Sequence, residues 1–113
     1  MTKKIIVVAP FNTPNEELKK RRVKTIATYC GELFKKGHIP VSALLSGLAF
    51  AEHSELPTDT LTWVNFSKLY VKGCDEMHVL KLENYLNSTG VLLEIAEAIE
   101  LGIKIVYIDY ELI

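Results

Sequence analysis

The stretch from Glu76 to Leu101, EMHVLKLENYLNSTGVLLEIAEAIEL, joins a short apolar segment to a longer amphipathic one. The apolar segment predicts a strand over Glu76 to Leu82 that is buried on both faces. Ser88 is a common residue at helix starts, and the pattern after it predicts a helix that ends at Leu101, just before Gly102. A strand that leads into a helix is the repeating unit of α/β folds.

The same alternation of strand and helix recurs along the rest of the chain. Further strands are predicted from apolar runs: Ile5 to Ala9, Ile39 to Leu44, and Ile103 to Ile108. Further helices are predicted from amphipathic segments: Pro14 to Lys35 or Lys36, with Asn15 as a candidate cap, and Thr58 or Asp59 to about Lys72. A loop rich in small residues is expected from Leu45 to Pro57.

This order of elements predicts a parallel sheet, because parallel neighbours need crossover connections and these are right-handed. We expect residues 1–113 to form a single α/β domain, a flavodoxin-like or Rossmann-like three-layer sandwich with a four-stranded parallel sheet in order 2-1-3-4. In such sheets ligands bind where the strand order reverses, here between strands one and three. The segments beyond those strands, Ala9 to Asn15 and Glu83 to Gly90, should therefore face each other across a ligand site.

The composition is that of an ordinary globular protein. Of the 113 residues, 49% are hydrophobic and 24% are charged, and the formal net charge is −1. No global charge therefore attracts nucleic acid or an anionic membrane. The longest apolar runs, such as Ile5 to Pro10, are too short to cross a bilayer, and the N-terminus does not resemble a secretion signal. We expect a cytoplasmic protein that binds neither nucleic acid nor membrane.

The sequence does not indicate a metal or a cofactor. Cys30 and Cys74 form no C-x-x-C pair and are expected to be reduced, and His38, His53 and His78 lack partners at metal-ligand spacing. The chain also lacks G-x-G-x-x-G after the first strand and G-x-x-x-x-G-K-[ST] anywhere. These absences exclude the dinucleotide fingerprint and the P-loop.

Short motifs lie at the ends of the predicted elements: Val8-Ala9-Pro10-Phe11, Gly37-His38, Cys74-Asp75, and Ser88-x-Gly90-x-x-x-Glu94 followed by Ala98 and Gly102. In this context they resemble the nucleoside 2-deoxyribosyltransferase superfamily, which includes the nucleoside 5′-monophosphate N-glycosidases. The resemblance extends over nearly the whole chain and is closest to small bacterial and phage members. It implies that the partner is a small molecule, a deoxynucleoside or a nucleoside 5′-monophosphate.

The resemblance also implies that Glu94 is the nucleophile, which attacks C1′ of the sugar and displaces the base to form a glycosyl-enzyme ester. Gly90 lies one helical turn earlier and leaves the helix surface bare, so that a sugar can approach. Ser88 and the amide groups of Thr89 and Gly90 can hold a 5′-phosphate at the helix N-terminus. Without the resemblance, the same residues describe a capped surface helix with a solvated acidic face.

Further candidates for substrate binding come from the two loops and the first helix. Ala9, Pro10 and Phe11 occupy the turn after strand one, and Phe11 is a candidate wall of the pocket. Tyr85 lies where related sequences often carry an aromatic residue, which can stack on a base or cover the pocket. Arg21 or Arg22 lies near an arginine of related sequences, and Arg22 is the candidate for the phosphate, although a solvated basic helix face also explains it.

Ser67 marks a departure from the catalytic members of the superfamily. Those members carry an aspartate at this place on the second predicted helix, where it manages the proton on the base or nucleophile. A serine is no general acid near neutral pH, and losing such a group costs about 10²–10⁴-fold in rate. Asp75 is no substitute, because it precedes strand three at the opposite edge of the sheet, where a structural turn role is expected.

Two hypotheses of different class follow. The first is an N-glycosidase or deoxyribosyltransferase that acts on deoxynucleosides or nucleoside 5′-monophosphates through a glutamate nucleophile. The second is a non-catalytic sensor or sequestering protein that binds a nucleotide or an ADP-ribose-like metabolite. The resemblance also implies a homo-oligomer, because relatives complete their pockets with a neighbouring subunit.

Overall fold

A computed structural model describes residues 1–110 of the chain. Its elements are β1 (Lys4–Val8), α1 (Glu16–Lys35), β2 (Ile39–Val41), α2 (Ala43–His53), α3 (Thr60–Val71), β3 (Glu76–Leu80), a short 3₁₀ turn (Tyr85–Asn87), α4 (Thr89–Glu100) and β4 (Lys104–Ile108). None of the helices within these residues is both long and apolar enough to cross a membrane.

The four strands form one parallel sheet in the order β2-β1-β3-β4, which confirms the predicted fold. The two central strands are β1 and β3, and they pair directly, with Val7 opposite His78 and Val8 opposite Val79. The chain continues from β1 toward one edge of the sheet and from β3 toward the other. The loops after these two strands therefore lie at the switch point, where ligands bind in open α/β sheets.

Alternate side chains of the central strands pack into a hydrophobic core on each face of the sheet. In the first core, residues of β1 and β3 pack against α3, α4 and Cys74. Its buried members are Ile6, Val8, Val71, Cys74, Met77, Val79, Val91, Ile95 and Ala98. In the second core, residues of β1 and β3 pack against α1. Its buried members are Ile5, Val7, Ile26, Tyr29, Leu33 and Leu80. Because neighbouring residues of β1 belong to different cores, its unbroken apolar sequence is buried on both faces.

The predicted helix ends are set by local chemistry. Each predicted N-cap side chain accepts a backbone N–H three residues further on: Asn15 from Leu18 at 3.1 Å, Asp59 from Thr62 at 3.0 Å, and Ser88 from Val91 at 3.3 Å. At the other ends, Gly37 and Gly102 adopt φ angles of 89° and 71°, a conformation that glycine accepts without strain. Both helices that precede these glycines stop where the sequence predicts.

The segment from Leu45 to Pro57, expected as a loop, is mostly helical, and the strand expected to reach Leu44 ends at Val41. Ser42 starts α2, since its Oγ accepts the Leu45 N–H at 3.1 Å. The small residues of this segment do not produce a loop, because alanine and leucine are strong helix formers. This helix, α2, adds a wall to the carboxyl edge of the sheet.

Both cysteines are free thiols, as predicted. The Cys74 side chain is buried. The Cys30 thiol is partly buried, and its own burial raises its pKa to about 11. Asp75 has the structural role expected of it, because its Oδ2 accepts the Lys4 N–H at 2.7 Å at the amino edge of the sheet.

A buried polar chain runs beneath α1 on the central strand β3. Glu76 and His78 are 8% and 9% exposed and lie two residues apart on one face of the strand. Glu76 accepts from Lys3 Nζ at 2.6 Å and is 3.0 Å from His78 Nε2, while His78 Nδ1 lies 2.6 Å from the Tyr29 hydroxyl. Because a carboxylate only accepts, His78 Nε2 donates to it, and in the neutral ring Nδ1 then accepts from the Tyr29 hydroxyl group. These bonds hold α1 on the sheet.

Replacing Glu76 with glutamine is expected to cost about 2 kcal/mol of unfolding free energy at pH 7, since it removes charged hydrogen bonds. The bonds from Lys3 and then His78 lower the pKa of Glu76 from 4.5 to about 2. A lowered folded-state pKa gives stability that is present above pH 4.5 and is lost as the pH falls toward 2. Urea unfolding across this pH range should show that loss in the wild type and a smaller one in Glu76→Gln. Glu100→Gln, exposed on α4, should match the wild type.

Candidate functional site

A large cavity opens at the carboxyl edge of the sheet, where the loops after β1 and β3 meet α2, α3 and α4. Its volume is about 980 Å³. The cavity wall includes nine of the residues that the sequence indicates: Ala9, Pro10, Phe11, Arg22, Ser67, Ser88, Thr89, Gly90 and Glu94. Residues far apart in the chain thus come together at the switch point of the sheet.

Glu94 lies on α4 and is partly buried where its helix lines the cavity. Among residues 1–110 it forms no ion pair with a lysine, arginine or histidine. Burial alone raises the pKa of its carboxyl group from 4.5 to about 8. A carboxyl group of this kind is mostly neutral at pH 7 and becomes ionised as the pH passes 8.

Ser67 lines the same cavity from α3, the helix that packs beside α4. The neighbouring residue Lys68 lies 4.0 Å from Glu97 on α4, so the two helices are adjacent at this level. Members of the superfamily that the sequence resembles carry an acid at this position, and here the position lines the same cavity as Glu94. Here it presents only a hydroxyl group.

The start of α4 gives the cavity an anion-binding edge. Ser88 Oγ is already bonded to the Val91 N–H, so the amide groups of Thr89 and Gly90 are the first helical donors without an intrahelical acceptor. A side-chain carbon added at Gly90 would meet no atom within 4 Å, so the space beside it is open. The helix dipole favours a negative group at this place.

Arg22 braces the two loops. It is only 6% exposed, and its guanidinium group donates to the carbonyl oxygens of Phe11 at 3.2 Å, Asn12 at 3.4 Å and Glu83 at 3.3 Å. Phe11 and Asn12 follow β1 while Glu83 follows β3, so one side chain joins both sides of the switch point. The observed contacts of Arg22 are with backbone, whereas the sequence suggested a phosphate.

Tyr85 is not among the described residues that line the cavity, and its stacking on a base or covering of the pocket stays a prediction. It packs against the core beneath α4, and its ring is 6.5 Å from that of Tyr107. The left-handed backbone of Asn84, with φ of 64°, precedes the turn that carries Tyr85 to this side. The loop geometry that places the ring here was not visible in the sequence.

The sequence prediction missed the wall that α2 supplies. Four of its residues line the cavity: Leu44, Gly47, Leu48 and Ala51. Trp63 of α3 packs against this wall and also lines the cavity, while its Nε1 donates to the Pro57 carbonyl oxygen at 2.8 Å. The spacing of four between Leu44 and Leu48, and between Gly47 and Ala51, was the available signal for a helix face.

Replacing Gly47 with alanine is expected to destabilise the protein by about 1–3 kcal/mol. The added carbon would lie 2.7 Å from Cζ3 of Trp63, so either the indole or α2 must move. Gly31→Ala is the matched control, because Gly31 lies within α1 and a carbon there meets nothing within 4 Å. The control should be stabilised by about 0.5–1 kcal/mol. Equal urea midpoints for the two variants would contradict the packing argument.

Comparison of the sequence with models of known protein families and with curated proteins gives no match. Within residues 1–110, no cluster of three or more histidine, cysteine or acidic side chains is placed to hold a metal ion. The functional argument therefore depends on the cavity and on the residues that line it.

Proposed function

We propose that this protein is an N-glycosidase or deoxyribosyltransferase that acts on deoxynucleosides or nucleoside 5′-monophosphates. The observation that carries the proposal is Glu94, a carboxyl group that has no ionic partner among residues 1–110 and that lines a large cavity at the switch point of the sheet. One turn earlier, the open surface at Gly90 and the first amide groups of α4 offer space for a sugar and donors for a phosphate.

The chemistry requires Glu94 in its ionised form. Its carboxylate attacks C1′ as the bond from C1′ to the base nitrogen breaks, and the base leaves with the bonding electron pair and then takes a proton. Water or a second base then attacks C1′ and releases the Glu94 carboxylate. Ser67 cannot supply the proton to the leaving base at neutral pH, so a base that leaves readily without protonation is the expected substrate.

A second candidate function is binding without catalysis, as a sensor or sequestering protein for a nucleotide or an ADP-ribose-like metabolite. Ser67 supports it, because the cavity carries only a hydroxyl group at the position where catalytic members of the superfamily carry an acid, while the free amide groups at the start of α4 are present. The raised pKa of Glu94 also supports it, since a neutral carboxyl group can form hydrogen bonds with a ligand but is a weak nucleophile toward C1′.

The two candidates separate in one pair of measurements on the purified protein. Release of free base is followed by chromatography for a panel of deoxynucleosides and their 5′-monophosphates, and thermal unfolding is measured with each compound. Base release supports the enzyme. Saturable thermal protection without base release supports the binding protein. The absence of both base release and thermal protection would contradict both proposals.

We further propose that the protein forms a homo-oligomer. Large apolar side chains are exposed on the helices beside the cavity, including Leu69 at 63% and Ile99 at 67%. Surfaces of this kind are commonly covered by another chain. Light scattering after size exclusion should give a mass that is a multiple of the 12.7 kDa chain, and a monomer at micromolar concentration would contradict the proposal.

A further inference from the structure

We infer that Arg22 is a positioning residue, which holds the loops after β1 and β3 at a fixed separation and so sets where Glu94 stands relative to Phe11. The inference rests on the proposed function and deepens it, because it names a residue that acts on the chemical step through other residues. It is carried by the backbone contacts of a buried guanidinium group.

The guanidinium group of Arg22 joins backbone segments that lie far apart in the chain. Nη1 donates to the carbonyl oxygens of Phe11 and Asn12, and Nη2 donates to that of Glu83. No acidic side chain among residues 1–110 forms an ion pair with it. Its charge therefore strengthens the bonds to the two loops. Arginine suits this role because its planar group offers five N–H donors and reaches three carbonyl oxygens at once.

The bond to Glu83 fixes the start of α4 through a succession of short-range bonds. In the turn that follows, the Asn87 N–H donates to the Asn84 carbonyl oxygen at 2.9 Å, and the Ser88 N–H donates to that of Tyr85 at 3.4 Å. The Ser88 side chain then caps α4. Because each step is closed by a hydrogen bond, the loop after β3 and the helix that carries the nucleophile move together.

On the other loop, α1 holds Phe11 at two points. The Phe11 carbonyl oxygen accepts from Arg22, and the Phe11 ring lies 5.6 Å from Lys19 Nζ, a cation–π contact. Lys19 and Arg22 lie one turn apart on α1, so one helix fixes both the backbone and the ring of a residue that lines the cavity. The wall at Phe11 and the start of α4 are therefore held together before a ligand binds.

Loss of this brace should affect the chemical step more than binding. The helix α4 keeps its own cap and its free amide groups, so it still offers donors for a phosphate. The wall at Phe11 moves relative to the Glu94 carboxylate, and a displacement of about 1 Å can cost about 100-fold in rate. We expect kcat of Arg22→Lys to fall by about 10–100-fold while KM changes by less than about threefold.

The central test replaces Arg22 with alanine and returns the missing group as guanidinium ion at millimolar concentration. Arg22 is buried and lines the cavity, so the substitution leaves a hole that the ion reaches from the cavity. We expect guanidinium chloride to raise kcat for base release by about tenfold, and sodium chloride or urea to leave it unchanged. A residue that only adds stability gives the opposite result, because guanidinium is a denaturant.

Arg21→Ala is the matched control. Arg21 is the neighbouring arginine of α1, is exposed, and does not line the cavity. This variant should keep the wild-type kcat and should not respond to guanidinium ion.

Hydrogen exchange in Arg22→Lys gives a readout that needs no substrate and keeps a charged side chain in the buried space. An ammonium group is a compact donor that does not span both loops. Exchange at the amides of Asn87 and Ser88 should rise by about tenfold. Exchange at Leu101 and Ile103, which bond to the last turn of α4, should match the wild type.

Each outcome decides the question. A uniform increase in exchange assigns Arg22 to global stability and overturns the inference, as does unchanged exchange at Asn87 and Ser88. Failure of guanidinium ion to rescue folded Arg22→Ala protein, or a loss confined to KM in Arg22→Lys, also overturns it. If the wild type releases no base, the proposed function fails and the role of Arg22 in the reaction fails with it. The exchange measurement then still decides whether Arg22 holds the loops.

Discussion

Replacement of Glu94 by glutamine is expected to lower base release by about 10³-fold or more, because the amide cannot form the glycosyl ester. The two side chains are nearly the same size, so the cavity and the fold should persist. Single-turnover assays with saturating substrate measure the change in the chemical step. Glu100→Gln is the matched control, since Glu100 is an exposed glutamate of the same helix that does not line the cavity.

The pH dependence of the wild type gives this prediction a second readout. Burial raises the pKa of Glu94 to about 8, so the reactive carboxylate is the minor form at pH 7. In the free enzyme kcat/KM should therefore rise about tenfold per pH unit below 8 and level off above it. A profile that is flat between pH 6 and 8 would contradict the role of Glu94 as the nucleophile.

The same variant tests the buried carboxyl group even if no substrate is found. A raised folded-state pKa gives stability that is fully present below pH 4.5 and is lost as the pH rises through about 8. Glu94→Gln lacks this titration and should exceed the wild type by about 4 kcal/mol at pH 9, with little difference at pH 4.5. Urea unfolding at the two pH values measures it. Equal stabilities at pH 9 would show that the side chain is solvated.

The sequence was sufficient for the sheet and its order because the relevant signals are local. The apolar run of β1 predicts a buried strand, and Asn15, Asp59 and Ser88 start their helices through bonds that span only three residues. The parallel order then follows from the alternation of strand and helix. The pattern predicts the helices that carry Glu94 and Ser67, whereas only the resemblance to the superfamily indicated that both residues belong to the site.

The features of the site that the sequence did not predict depend on contacts between distant residues. Gly47 has its role only because Trp63 lies against it from another helix, and a lone glycine among small residues gives no such sign. Arg22 bonds to Glu83, 61 residues away, so its bracing role was hidden by its place in a basic cluster. Tyr85 follows a left-handed Asn84, and this backbone turn decides which side the ring faces.

Replacing Ser67 with aspartate is expected to raise base release by about 100-fold or more, because it returns an acid to the place that lacks one. The introduced carboxyl group would face the cavity that Glu94 lines. Two carboxyl groups that share one desolvated space do not both ionise readily, so one titrates lower and the other higher. A split of this kind lets one act as nucleophile while the other donates the proton to the leaving base.

Ser67→Asn separates this acid function from side-chain size, since asparagine has the shape of aspartate without its proton. Rates for both variants should be measured from pH 5 to 9 with one deoxynucleoside 5′-monophosphate. Only Ser67→Asp should show a gain, with a rate that rises and then falls with pH as the two carboxyl groups titrate. An equal gain in Ser67→Asn would assign the effect to packing. No gain in Ser67→Asp, in a protein that still binds the nucleotide, would favour the non-catalytic function, because the missing acid would then not be what limits the chemistry.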